Sequence, residues 1–192
     1  EILHKEGYNI AAVVTAPDTP AGRGLNIHHS AVKEFALEKG LPLLQPQKLS
    51  DPSFIEKISK LKADLGVVVA FRVLPDTVWN IPRLGTINLN ASLLPQYRGA
   101  APINRAIMNG EKETGVTTFF LRKEIDTGNI LFSEKIQIDE NETAGELHDR
   151  LQVIGAGLLL KTVKAIEENK YSSTEQNKLK DKKALETEKC QK

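Results

Sequence analysis

One cysteine, one methionine and one tryptophan are all that the 192 residues carry. The lone Cys190 has no partner within the chain, so no internal disulfide framework exists, and a reducing, cytoplasmic setting is expected. No apolar run approaches the roughly 18 residues that a membrane span needs, so no membrane partner is expected. The opening Glu1-Ile-Leu-His-Lys has neither the charge layout nor the apolar stretch of a signal peptide. Large net charge is missing too. Lys and Arg number 26 against 25 Asp and Glu, so any RNA contact has to come from a local patch. His4, His28, His29 and His148 are scattered without metal-site spacing, and no metal is expected. Neither G-x-G-x-x-G nor G-x-x-x-x-G-K-[ST] follows a strand, which leaves a nicotinamide or nucleotide enzyme without its usual sequence support.

What is present reads as an ordinary globular domain, 40% hydrophobic and 27% charged. Glu1 to Lys5 before Gly7 predicts the last turn of a helix. Ile10–Thr15 and Pro42–Gln45 predict short buried strands around a helix over 31–39 that Ser30 caps. Asp51 or Ser50 caps a further helix to Lys60, Asp64–Ala70 is the most strand-like run, and a helical turn spans 75–80. Beyond the strand that starts at Gly85, a helix over 100–109 ends at Gly110. Two strands, 115–121 and 128–138, are candidates for a hairpin. Thr143 with Glu146 three residues on forms a capping-box pattern that opens a long helix. Its buried stripe is Leu147, Leu151, Ile154, Leu158 and Ile166. Strands alternating with helices predict a doubly wound, mostly parallel α/β sheet. After Tyr171 almost nothing apolar remains, so 1–171 is read as the domain and 172–192 as a solvated polar linker.

The stretch Gly85-Thr-Ile-Asn-Leu-Asn-Ala-Ser-Leu-Leu-Pro-Gln-Tyr-Arg-Gly-Ala-Ala-Pro102 organises the rest. Its apolar start ends abruptly in polar residues, and Pro95 and Gly99 stop anything regular from following. A buried strand delivers side chains in this way to its carboxyl end, where open α/β sheets place ligands. Asn88 and Asn90, two apart, share a side of such a strand. Taken alone, Asn88 is equally a strand-end residue bonding a turn, and Asp126-Thr-Gly128 a turn sequence.

With Glu124-Ile-Asp-Thr-Gly128, this stretch resembles the N-x-H … D signature of the folate-dependent formyltransferases. Residues 92–103 match the family's SLLPxxRGxxPI, and Gly99-Ala-Ala-Pro102 looks most like the branch that acts on methionyl-tRNA. The resemblance covers roughly residues 1 to 170 and implies a Rossmann-like fold with 10-formyltetrahydrofolate as formyl donor. Its partner would be initiator methionyl-tRNA, and the intact protein a monomer. Formyl transfer to an amine passes through a tetrahedral carbon with a developing negative oxygen. Asn88 is implied as the donor to that oxygen and Asp126 as the organiser of proton transfer. Asn90 stands where the family has histidine. An amide does not titrate near neutral pH, and losing a general acid–base group costs about 10²–10⁴-fold in rate.

By the same resemblance Arg72, Val73 and Leu74, in Phe71-Arg-Val-Leu-Pro75, line the pterin site with Glu124, Ile125 and Asp126. Arg23, in the loop from Pro17 to Gly24, is implied as a phosphate contact to tRNA. Members of the family open with a strand and a glycine turn, and carry a second, tRNA-holding domain after a linker. The sheet is therefore expected to lack its first strand, with the C-terminal tRNA-binding domain absent and unpaired edges where the strand belongs. Two alternatives stay open: a formyltransferase acting on a small amine, such as glycinamide ribonucleotide or an amino sugar nucleotide, and a non-catalytic folate- or RNA-binding protein.

Overall fold

A computed structural model describes residues 1–18, 20–21, 26–27 and 29–176. The chain divides into two compact units, one formed by Glu1–Asp64 with Phe71–Arg83 and the other by Leu65–Ala70 with the chain from Leu84 onward.

In the first unit, α1 (Ile2–Lys5) leads to β1 (Val13–Val14), which pairs in parallel with β4 (Leu43–Leu44). Between them come the antiparallel β2 (Pro20–Ala21) and β3 (Asn26–Ile27), then α2 (Ala31–Glu38). Helices α3 (Pro52–Lys60) and α4 (Asp76–Trp79) complete the unit. Ser30 caps α2 by accepting the Lys33 N–H at 3.2 Å. Asp51, rather than Ser50, caps α3 through Ser53 N–H at 2.8 Å, with Pro52 in its first turn. Apolar burial centres on Leu49, Phe54 and Val78, with Val14, Leu44, Ile58, Phe71 and Leu74 packed around them. The strands are shorter than their apolar runs because β1 and β4 pair only with each other among the described residues. Regular pairing therefore ends with the bonds Val13 N–H to Pro42 O (2.8 Å) and Thr15 N–H to Leu44 O (3.0 Å).

The second unit is a four-stranded sheet in the order β5 (Gly66–Val69), β6 (Thr86–Asn90), β7 (Glu113–Phe120), β8 (Ile130–Gln137). β5 and β6 run parallel, whereas β7 is antiparallel to both β6 and β8. Residues 121–129 are too few for the crossover helix that a parallel connection requires, so the last two strands close as a hairpin. α5 (Pro102–Met108) links β6 to β7, and α6 (Ala144–Glu167) packs across β7 and β8. The capping box at Thr143 forms as expected. Glu146 N–H reaches Thr143 Oγ1 at 3.3 Å, and Thr143 N–H reaches Glu146 Oε2 at 2.9 Å. From there Leu147, Leu151 and Leu158 bury against Val116, while Leu159, Val163 and Ile166 extend the buried stripe; Ile154 is only partly covered.

β7 is buried from Thr114 to Phe119 although half its residues are polar. Both faces are covered, and the hydroxyls of the two most deeply buried threonines, Thr117 and Thr118, are satisfied, as burial requires. Thr118 Oγ1 pairs with Thr162 Oγ1 of α6 at 2.8 Å, and Thr117 Oγ1 donates to Ser92 O at 2.7 Å on the other face. After α6, residues 172–175 are exposed, yet the stretch is tied to the sheet and ends in a buried residue. Ile130 and Thr174 exchange two backbone bonds of 2.9 Å, and Gln176 is 2% exposed. The remainder of the expected linker, 177–192, lies outside the described residues. Among the described residues no helix is long and apolar enough to cross a membrane.

Loss of the cap and loss of core packing should separate cleanly in urea unfolding. Thr143→Ala should cost about 1 kcal/mol, and Leu151→Ala ~2–5 kcal/mol, read as midpoint shifts at constant slope. The reverse ranking would contradict the packing of α6.

Candidate active site

Strand alternation in β6 turns Leu89 toward α6 and sets Asn88 and Asn90 on the opposite face. In the register with β7, Asn88 lies opposite Phe119 and Asn90 opposite Thr117. Asn90 is buried, and its Nδ2 donates to Ser92 Oγ at 3.0 Å, which donates onward to Gln96 O at 2.8 Å. This chain of amide, hydroxyl and carbonyl holds no group that titrates near neutral pH. Asn88 is partly exposed, and its amide makes no hydrogen bond to another described residue. It is the one of the pair whose N–H groups are free for a ligand.

Past β6 the chain folds back over the sheet. Thr117 Oγ1 fastens its start, accepting Leu94 N–H at 3.2 Å while donating to Ser92 O. Tyr97, Gly99 and Ala101 all adopt positive φ (54°, 87° and 54°), so the segment turns sharply before Pro102 opens α5. That turn aims the Gly99 N–H at Asp126, whose Oδ2 accepts it at 2.8 Å.

Asp126 sits in the 121–129 connection, itself at φ 53°. Thr127 Oγ1 bonds Glu124 O at 3.0 Å. Gly128 is irreplaceable on steric grounds, since a Cβ there would lie 1.6 Å from Phe120 O. Burial pushes the Asp126 carboxyl above its usual pKa, and the Gly99 N–H and the Arg98 charge only partly oppose that rise. Glu124 and Ile125 are exposed. A side chain that sequence reasoning passes over also reaches this loop: Gln176 Nε2 donates to Asp126 O at 2.7 Å and to Gly128 O at 2.8 Å. Its only sequence signal is its place in a polar stretch, which says nothing about docking.

Arg72, Val73 and Leu74 belong to the first unit. Arg72 donates to Pro46 O (3.0 Å) and Gln47 O (3.3 Å) and stacks on Phe71, while Leu74 packs in that unit's core. Among the described residues their main-chain groups make no hydrogen bond, and Val73 is 74% exposed. Free backbone donors and acceptors beside an exposed apolar side chain suit the edge of a heterocycle such as a pterin. Arg23 lies outside the described residues.

Residues 2–163 match the family model described as formyl transferase. The chain belongs to the formyl transferase family. Within it, the chain is 57% identical over 164 residues to the methionyl-tRNA formyltransferase of Bacteroides thetaiotaomicron, covering 85% of this chain and 51% of that one. It spans about half the length of the relatives it matches. Among solved structures, phosphoribosylglycinamide formyltransferase from Bacillus halodurans superposes with a TM-score of 0.71 at 22% identity, over 84% of this chain and 85% of that one. A sugar 3N-formyl transferase solved in the presence of dTDP and 5-N-formyl-THF gives 0.61 at 23% identity, over 77% and 50%. These two likenesses show the Rossmann-like formyltransferase fold.

A raised carboxyl pKa fixes the sign of a stability test. The folded chain binds the Asp126 proton more tightly than the unfolded one. That contribution is full below the ordinary 3.8 and is lost as pH rises through the folded value. Asn mimics the protonated acid and keeps an oxygen for Gly99 N–H. Asp126→Asn should therefore raise the melting temperature at neutral pH, with the gain shrinking toward zero once the acid is protonated in both states. A gain independent of pH would mean the carboxyl is not buried as charge.

Proposed function

We propose that this chain is the formyl-transferring part of a methionyl-tRNA formyltransferase. It would move a formyl group to the amino group of methionine on initiator tRNA, in the cytoplasm. The observation that carries this is the 57% identity across 85% of the chain to an enzyme of that name. 10-Formyltetrahydrofolate supplies the formyl group when bound. Backbone groups of Arg72, Val73 and Leu74, and those of Glu124, Ile125 and Asp126, are the folate contacts in this reading; the Asp126 carbonyl is already engaged by Gln176. Arg23 would meet a tRNA phosphate. No metal enters the scheme, and the intact protein acts as a monomer.

Asn88 donates its amide N–H to the oxygen that gains negative charge as the amine adds. A donor placed before the charge develops costs no reorganisation when it is needed. The incoming amine must also shed a proton, and the donor nitrogen whose bond to the formyl carbon breaks would take one up. Of Asn88, Asn90 and Asp126, only Asp126 can take one, and its raised pKa brings it closer to the working range of a base at neutral pH. Asn90 occupies the family's histidine position without its chemistry, so activity is impaired there.

Grafting residues 2–163 in place of the matching segment of the Bacteroides thetaiotaomicron relative allows the whole reaction to be assayed. In that chimera Asn90→His should raise formyl transfer to initiator methionyl-tRNA by at least about 10²-fold. Asn88→Ala should remove about 10²–10³-fold. Equal rates with asparagine and histidine at position 90 would overturn the role given to that position, and no transfer in either form would overturn the function.

A further inference from the structure

Gln176 lies in the stretch that composition assigns to solvent, yet it is among the most buried polar residues described. The strap that carries it is fastened beforehand. Tyr171 rests against Phe120 with ring centroids 5.9 Å apart, and Thr174 exchanges two backbone bonds with Ile130. An amide offers two N–H donors and an oxygen with two lone pairs, and here all four are used. The donors go to Asp126 O and Gly128 O, at 2.7 and 2.8 Å. The oxygen accepts from Arg98 Nε at 3.0 Å and Arg98 Nη2 at 2.8 Å.

These bonds close a ring. Arg98 is bonded along the chain to Gly99, whose N–H holds the Asp126 carboxylate, and Gln176 joins the Arg98 guanidinium to the Asp126 carbonyl. Asp126 is thereby held at both its side chain and its main chain, in a left-handed conformation (φ 53°) that a non-glycine residue keeps only when its surroundings demand it. We propose that Gln176 is a positioning residue for formyl transfer, setting the place of the Asp126 carboxylate by fixing its loop against Arg98. The proposal rests on the reading of Asp126 as the proton-handling group.

Only an amide completes the ring. A glutamate at 176 keeps the acceptor for Arg98 but turns an oxygen toward two carbonyls that need a donor, and a methionine keeps the volume and loses every bond. The test has two readouts on Gln176→Glu and Gln176→Met, with the melting temperature as a control for folding. The first is amide hydrogen exchange of Gly99 in the 192-residue chain, which reports the carboxylate contact without any turnover. Exchange should accelerate at Gly99 in both variants while the amides of α6 stay protected. The second is transfer by a chimera whose graft is extended to residues 2–176 and carries Asn90→His. There kcat should fall by about 10²-fold, the loss that follows a misplacement of ~1 Å, with the KM for methionyl-tRNA unchanged.

Unchanged Gly99 protection in both variants would overturn the proposal. So would a rate loss confined to Gln176→Met, since the donations to the loop would then be dispensable. Faster exchange with undiminished kcat would overturn the role in transfer and, with it, the reading of Asp126. Faster exchange in a chain whose parent chimera is inactive would support the clamp and count against the proposed activity alone.

Discussion

The hydroxyl of Thr117 is the point on which the site depends. It is fully buried in β7, donates to Ser92 O and accepts from Leu94 N–H. A buried main-chain donor or acceptor left without a partner costs about 1–3 kcal/mol, so this side chain fixes where the segment after β6 meets the sheet. Everything downstream inherits that position: the turns at Tyr97 and Gly99, the N–H presented to Asp126, and the start of α5. Valine would fill the same space and hold nothing, which is why a polar residue sits in the middle of a buried strand.

Around that anchor the charge is sparse. Asn90 spends its amide on an internal chain through Ser92 to Gln96, and Asn88 keeps its own free. Among Asn88, Asn90 and Asp126 only Asp126 titrates, and burial works against its charged form. Such opposition is how a carboxyl is brought toward the pH at which it exchanges protons. In the first unit the balance is reversed. Asp18 takes hydrogen bonds from Lys33 and Gln45 and meets His29, and these partners hold its carboxyl down to about 2. There the anion is a fixed anchor beside the start of α2, and its chemistry is structural.

The elements with local signals are legible in the sequence alone. Ser30, Thr143 and the pair Ser50 and Asp51 mark where helices begin, because capping is a contact over two or three positions. The hairpin of β7 and β8 followed from the shortness of its connection. Strand lengths were less legible, since Ile10–Thr15 reads as six apolar-compatible residues while pairing depends on partners elsewhere in the chain. β7 shows no alternation to read, because two different layers cover its faces. The family signature marked Asn88, Asn90 and Asp126 as residue types, and nothing in their spacing along the chain measures the distance between them in space.

The sequence by itself determined where helices lie along the chain, the α/β class and the chemistry that each polar residue can offer, because these rest on local periodicity and on the side chains themselves. Tertiary structure decided which of those groups are spent and which are free. Asn88 and Asn90 are identical and two residues apart, yet only one has its amide engaged. Gln176 stands in a run of polar residues, and the ring contact of Tyr171 with Phe120 and the backbone pairing of Thr174 with Ile130 hold it as a four-bond junction. The reason is one of range. A hydrogen bond requires two atoms within about 3 Å, and for Gln176 and Asp126 that closeness spans 50 positions of chain.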